Sequence, residues 1–198
     1  DRGYISVESE RMILEDSLAT STMQAAKDMG YATAPALVYL ANEIYATERA
    51  TDSERYSMYS IIAGIPLDSP APLGPLTLMD GTHPAELAGD EILLSAWLAE
   101  DLKVNAGDSV SSKWHEVGSH AELPEIEKTF VVKGILSADD PVTVDQNLTP
   151  TVEGITDVDS FGEWDQPFDM DMTRITPRDD DYWTAHKATP KAFIALAT

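Results

Sequence analysis

Gly89-Asp90-Glu91-Ile92-Leu93-Leu94-Ser95-Ala96-Trp97-Leu98-Ala99-Glu100-Asp101-Leu102 is the most legible stretch of the chain. Glu91-Ile92-Leu93-Leu94 is an apolar run of strand length and predicts a short buried strand. Ser95 carries a hydroxyl able to accept from a backbone N–H of the next turn, so it predicts the N-cap of a two-turn helix over Ala96–Leu102. Gly107-Asp108 then predicts a tight turn into a strand at Ser109–Trp114. Beyond a polar excursion, Thr129-Phe130-Val131-Val132-Lys133-Gly134-Ile135-Leu136 predicts another strand.

Upstream, Ser9 before Glu10-Arg11-Met12-Ile13-Leu14 looks like an N-cap opening an amphipathic helix. Its apolar face would be Leu14, Leu18, Ala25 and Met29, and Gly30 would end it. Ala36–Thr47 and Tyr56–Ile65 predict two strands, and the polar link Glu48–Arg55 joins them as a long hairpin. Residues 63–90 change character: five prolines (66, 70, 72, 75, 84) and four glycines (64, 74, 81, 89) mark a connector, with one short strand expected at Leu76–Met79. A lobe boundary is expected within 66–90. After Pro141 the chain is loop-rich, and residues 151–183 hold ten acids against only Arg174 and Arg178. Asp179–Asp181 suit the first turn of a helix, where negative charge complements the dipole. That helix would carry Tyr182 and Trp183 inward, and a final strand is expected at Lys191–Leu196. The sum of these elements is α+β (mixed α/β): strands with a few short helices, in two lobes.

The 198 residues are 43% hydrophobic, enough to bury a core, and carry 35 Asp+Glu against 13 Lys+Arg for a formal charge of −22. That sign repels phosphate, so nucleic acid and anionic lipid are not expected partners; adaptation to salt is a rival source of the acidity. Cysteine is absent, which removes disulfides, thiolate nucleophiles and Cys-ligated zinc together. No apolar run approaches the ~18 residues of a membrane span. The chain opens Asp1-Arg2-Gly3 without Met or a hydrophobic leader and reads as a piece of a larger protein.

Catalytic signatures fail at named positions. His115-Glu116 with His120 approaches a zinc-protease pattern, but the histidines are five apart with Gly118 between, not four apart on one helical face. Asp157-Val158-Asp159-Ser160-Phe161-Gly162 begins like a calcium loop, yet Phe161 stands at the fifth position and Phe168 at the twelfth, where oxygens are needed. The acids Asp179–Asp181 with His186 are better explained by helix capping than by a cation. There is no Gly-x-Ser-x-Gly elbow and no phosphate-binding glycine loop. Asn147-Leu148-Thr149 fits a glycosylation sequon, discounted because Pro150 follows. Trp97, Trp114, Trp164 and Trp183 read as core and interface rings, with an aromatic sugar platform as the alternative. No catalytic, cofactor-binding or metal-ligating residue is assigned.

The quoted stretch 89–102, the Gly107-Asp108 turn and Phe130-Val131-Val132-Lys133-Gly134-Ile135-Leu136 together resemble the extracytoplasmic (MacB-like periplasmic core) domain of MacB/FtsX-type ABC-transporter permeases. Leu37–Ile44 and Asp179–Phe193 are similar to further pieces of the large bacterial permeases of this class. The resemblance implies a non-catalytic domain outside a bacterial membrane, periplasmic in location. It would couple ATP-driven movement of membrane helices to substrate export or to a periplasmic protein partner. A separate ATP-binding subunit or domain would hydrolyse the ATP, and the full transporter would be a dimer. A secreted sugar- or peptide-binding module is the alternative suggested by the tryptophans, and a metal-dependent hydrolase using His115 and His120 is a second.

Overall fold

The computed structural model describes residues 3–9, 14–48, 55–116, 123–165 and 170–196. Strands β1 (Leu37–Ala46) and β2 (Tyr56–Ile65) form the long hairpin, in antiparallel register from Leu37↔Gly64 to Tyr45↔Tyr56. Then come β3 (Glu91–Ser95), a helix at Ala96–Leu102, β4 (Ser109–His115), β5 (Glu125–Leu136) and, near the C-terminus, β6 (Ala192–Ala195). The six strands close into a barrel in the order β1-β2-β6-β3-β5-β4. β6 runs parallel to β2 and antiparallel to β3, while β3 and β5 are parallel. Antiparallel pairing of β1 with β4, from Glu43↔Lys113 to Ala46↔Val110, closes the ring.

This barrel corrects the α+β (mixed α/β), two-lobed expectation. The main strands stand close to where the sequence predicts them, but two hairpins join edge to edge and β6 fills the gap between β2 and β3. Closure gives every strand a hydrogen-bonded neighbour on each side over part of its length. Segment 66–90 leaves β2 and returns into β3 within this one barrel. Its Leu76 is buried with Ala63, Leu93, Leu136 and Phe193 on the outer face of the sheet. The short strand expected at Leu76–Met79 reduces to a single bridge between Leu78 and Leu136.

Every strand contributes to one central cluster, including Ala41, Ile44, Ile62, Ile92, Leu94, Val110, Val132 and Ala192, so this is the barrel interior. The helix Ala96–Leu102 plugs it with fully buried Leu98 and Leu102. Ser95 caps that helix as expected, its Oγ accepting from the Leu98 N–H at 3.2 Å. The Gly107-Asp108 turn, with Gly107 at φ 95°, is bonded onto β5. The Gly107 N–H donates to Val132 O at 2.8 Å, and the Val132 N–H donates to Asp108 O at 2.9 Å. Against β3, Ile92 pairs with Val132 and Leu93 with Gly134, leaving Lys133 as a bulge residue that reaches Glu91 at 2.8 Å. At Gly134 a Cβ would stand 3.0 Å from Leu78, which explains a glycine in mid-strand.

Helix α1 (Asp16–Asp28) is six residues shorter at its start than Ser9 promised, with Glu15 at its N-cap; residues 10–13 lie outside the described residues. Gly30, at φ 83°, ends it: the Gly30 N–H donates to Lys27 O and the Tyr31 N–H to Ala26 O, both at 2.9 Å. The expected apolar face does not pack. No residue of α1 is buried, and Leu18 and Met29 are exposed. With the Ala96–Leu102 helix as α2, α3 is Pro177–His186. Its Thr176 N-cap and Asp179 form a reciprocal capping box, and Tyr182 and Trp183 turn inward as expected. A third apolar cluster, built from Met58, Tyr59, Ile61, Phe161, Trp164 and Trp183, seats this region on β2.

Candidate binding cleft

Two buried charge clusters fix the covering segments to the barrel. Lys191, 3% exposed, precedes β6; its Nζ donates to Ser57 Oγ at 2.8 Å and lies 3.4 Å from Asp179 Oδ1. Ser57 donates in turn to Asp179 Oδ1 at 3.0 Å and accepts from Ser60 Oγ at 3.1 Å. The rings of Trp97 and Tyr182 stand 4.5 and 4.6 Å from the ammonium. Burial holds the Lys191 pKa below the ordinary lysine value, against the pull of Asp179 and Asp101. Nearby, Asp101 is pushed up by burial although Arg178 Nε pairs with it at 2.5 Å. In the second cluster, Glu43 on β1 is 2% exposed and receives Arg174 Nη2 at 2.8 Å and Lys113 Nζ at 3.4 Å.

A serine hydrogen-bonded to a lysine invites a nucleophilic reading. Ser57, however, gives its proton to Asp179, accepts from Lys191 and is 0% exposed. An activated serine must instead give its proton to a neutral amine and face substrate. The cluster therefore fixes structure. The sequence carried one sign of it: a lone lysine between Pro190 and Ala192-Phe193 at the head of an apolar strand.

The motifs weighed in the sequence do not assemble. His115 is exposed, with Nδ1 3.0 Å from Leu123 O, and His120 lies outside the described residues. Among the described residues no group of three or more His, Asp or Glu is placed to hold a metal ion. Phe161 turns into the core, while Asp157 accepts from the Gly154 N–H at 2.7 Å and Asp159 pairs with Lys187 at 2.6 Å. His186 packs on Tyr182 with ring centroids 4.7 Å apart. Trp164 and Trp183 are buried, and Trp97 and Trp114 pack against Tyr182 and Tyr39, so the four rings are engaged in packing rather than arrayed as a platform. Asn147 of the sequon is exposed, while Thr149 Oγ1 donates to Ala188 O at 2.5 Å.

What the sequence did not foretell is a cleft of about 400 Å³. The loop carrying Gln146, Asn147, Thr151 and Asp157 forms one side of it, and Lys187 at the end of α3 forms another. The N-terminal segment adds Glu8, held there by the Tyr4 hydroxyl donating to buried Asp145 at 2.7 Å. Lys187 occupies φ 54°, ψ −139°, a conformation natural to glycine and strained for any other residue. Its pairing with Asp159 holds that exposed carboxyl below the usual carboxylate range.

No family model and no curated protein matches this chain. The resemblance to MacB/FtsX-type permeases therefore rests on the residues quoted for it alone.

Proposed function

We propose that this chain is a non-catalytic extracytoplasmic domain of an ABC-transporter permease, carrying movement of membrane helices to a substrate or partner outside the membrane. The observation that carries this reading is the unit β3–α2–β4–β5. The residues that carry the resemblance are also those on which this unit depends. Ser95 caps the helix, Gly107-Asp108 is bonded to Val132, and Gly134 admits Leu78. A closed barrel with a plugged interior suits a coupling role, because a close-packed body transmits displacement instead of absorbing it.

The test is the full coding sequence together with co-purification. Apolar segments of ~20 residues in the same reading frame, and recovery of an ATP-binding subunit or domain with the tagged full-length protein from detergent extracts, are expected. A reading frame without such segments overturns the proposal.

A further inference from the structure

Independently of the permease reading, we propose that the cleft beside Lys187 binds a small, hydroxyl-rich molecule, a saccharide unit in size and chemistry. The volume of about 400 Å³ falls within the range of small-molecule sites, roughly 300–1,000 Å³. Its walls are mainly polar, with Val158 and Ala188 as the apolar members. Gln146 and Asn147 contribute amides, Thr151 a hydroxyl, Glu8 and Asp157 carboxylates, and Lys187 an ammonium. Amides and hydroxyls both give and accept hydrogen bonds, as adjacent sugar hydroxyls do.

Among the described residues, the side chains of Gln146, Thr151 and Glu8 make no hydrogen bond, and Asp157 uses only one oxygen, on the Gly154 N–H. These groups remain available to a ligand. Anions are disfavoured, because the charge of Lys187 is already met by Asp159 and the remaining carboxylates leave the cleft negative. An apolar ligand would strand the amides without partners. Lys187 itself carries its side chain into the cleft from a backbone conformation, φ 54°, ψ −139°, that glycine would adopt with less strain.

The experiment is amide-resolved NMR of the 198-residue chain titrated separately with D-glucose, N-acetylglucosamine and ethylammonium chloride. Saturable shifts confined to the amides around Asn147, Thr151 and Lys187 with at least one sugar are expected. Gln146→Ala should weaken that binding about tenfold without moving the melting temperature, as for a lost hydrogen bond on the surface. No saturable shift with either sugar, shifts with ethylammonium alone, or sugar shifts unaffected by both Gln146→Ala and Thr151→Val would each overturn the proposal.

Discussion

Lys191 and Asp179 face each other at 3.4 Å with 3% and 1% of their side chains exposed, and Ser57 bridges them. The pair ties α3 to the strand that completes the barrel between β2 and β3. Taking one partner from a buried ion pair leaves a charge stranded in a poorly solvating interior, typically at about 3–5 kcal/mol.

Lys191→Met is therefore expected to destabilise by about 3 kcal/mol, at the low end of that range. Asp179 would keep donors from Ser57 and from the Thr176 N–H and hydroxyl. Denaturant unfolding with an unchanged slope measures the loss, and a midpoint equal to the parent's would refute the stapling role.

The strands, α2 and α3 were legible because each is specified by neighbours in sequence: an apolar run, a capping oxygen, a glycine turn. Barrel closure was not, since nothing in β1 or β4 alone says that Glu43 will lie opposite Lys113. The helical period of Leu18 and Met29 misled for a related reason. Period reports which residues share a face, not whether another element covers it. The cleft was illegible because it joins Glu8, Gln146–Asp157 and Lys187, far apart in the chain. Asp157 and Asp159 stand out in the sequence only as the opening of a calcium loop that fails at Phe161 and Phe168; the partner of Asp159 is an ammonium 28 residues away.

The formal charge of −22 is spread over a compact body, so the native state carries strong self-repulsion. Added salt screens it, the Debye length falling from ~10 Å at 0.1 M to ~3 Å at 1 M. The melting temperature is expected to rise as sodium chloride increases over that range. A flat or falling series in calorimetry would show that pairs such as Arg174–Glu43 outweigh the general repulsion.

His186 supplies a pH dependence of definite sign. Burial, with the nearby charge of Lys191, holds its pKa below the ordinary value. The unfolded chain thus takes up a proton at a higher pH than the folded one, and its contribution to stability is lost as pH falls through that window. His186→Gln is expected to lose less stability than the parent between about pH 7 and about pH 5. Comparing the two proteins cancels the titration of the many carboxylates. Parallel pH profiles would refute the assignment.

Lys187 offers a separation of backbone strain from side-chain function. Both Lys187→Ala and Lys187→Gly delete the contact to Asp159, but only glycine is at ease at φ 54°, ψ −139°. Strain at such positions is about 1–3 kcal/mol, and the extra freedom of glycine in the unfolded chain offsets about 0.5–1 of it. The glycine variant should therefore be the more stable of the two by about 1–2 kcal/mol. Equal denaturation midpoints would mean that the backbone relaxes without strain. If glycine is the more stable and yet fails to bind the sugar that shifts the parent's spectrum, the lysine is kept for what its ammonium does in the cleft.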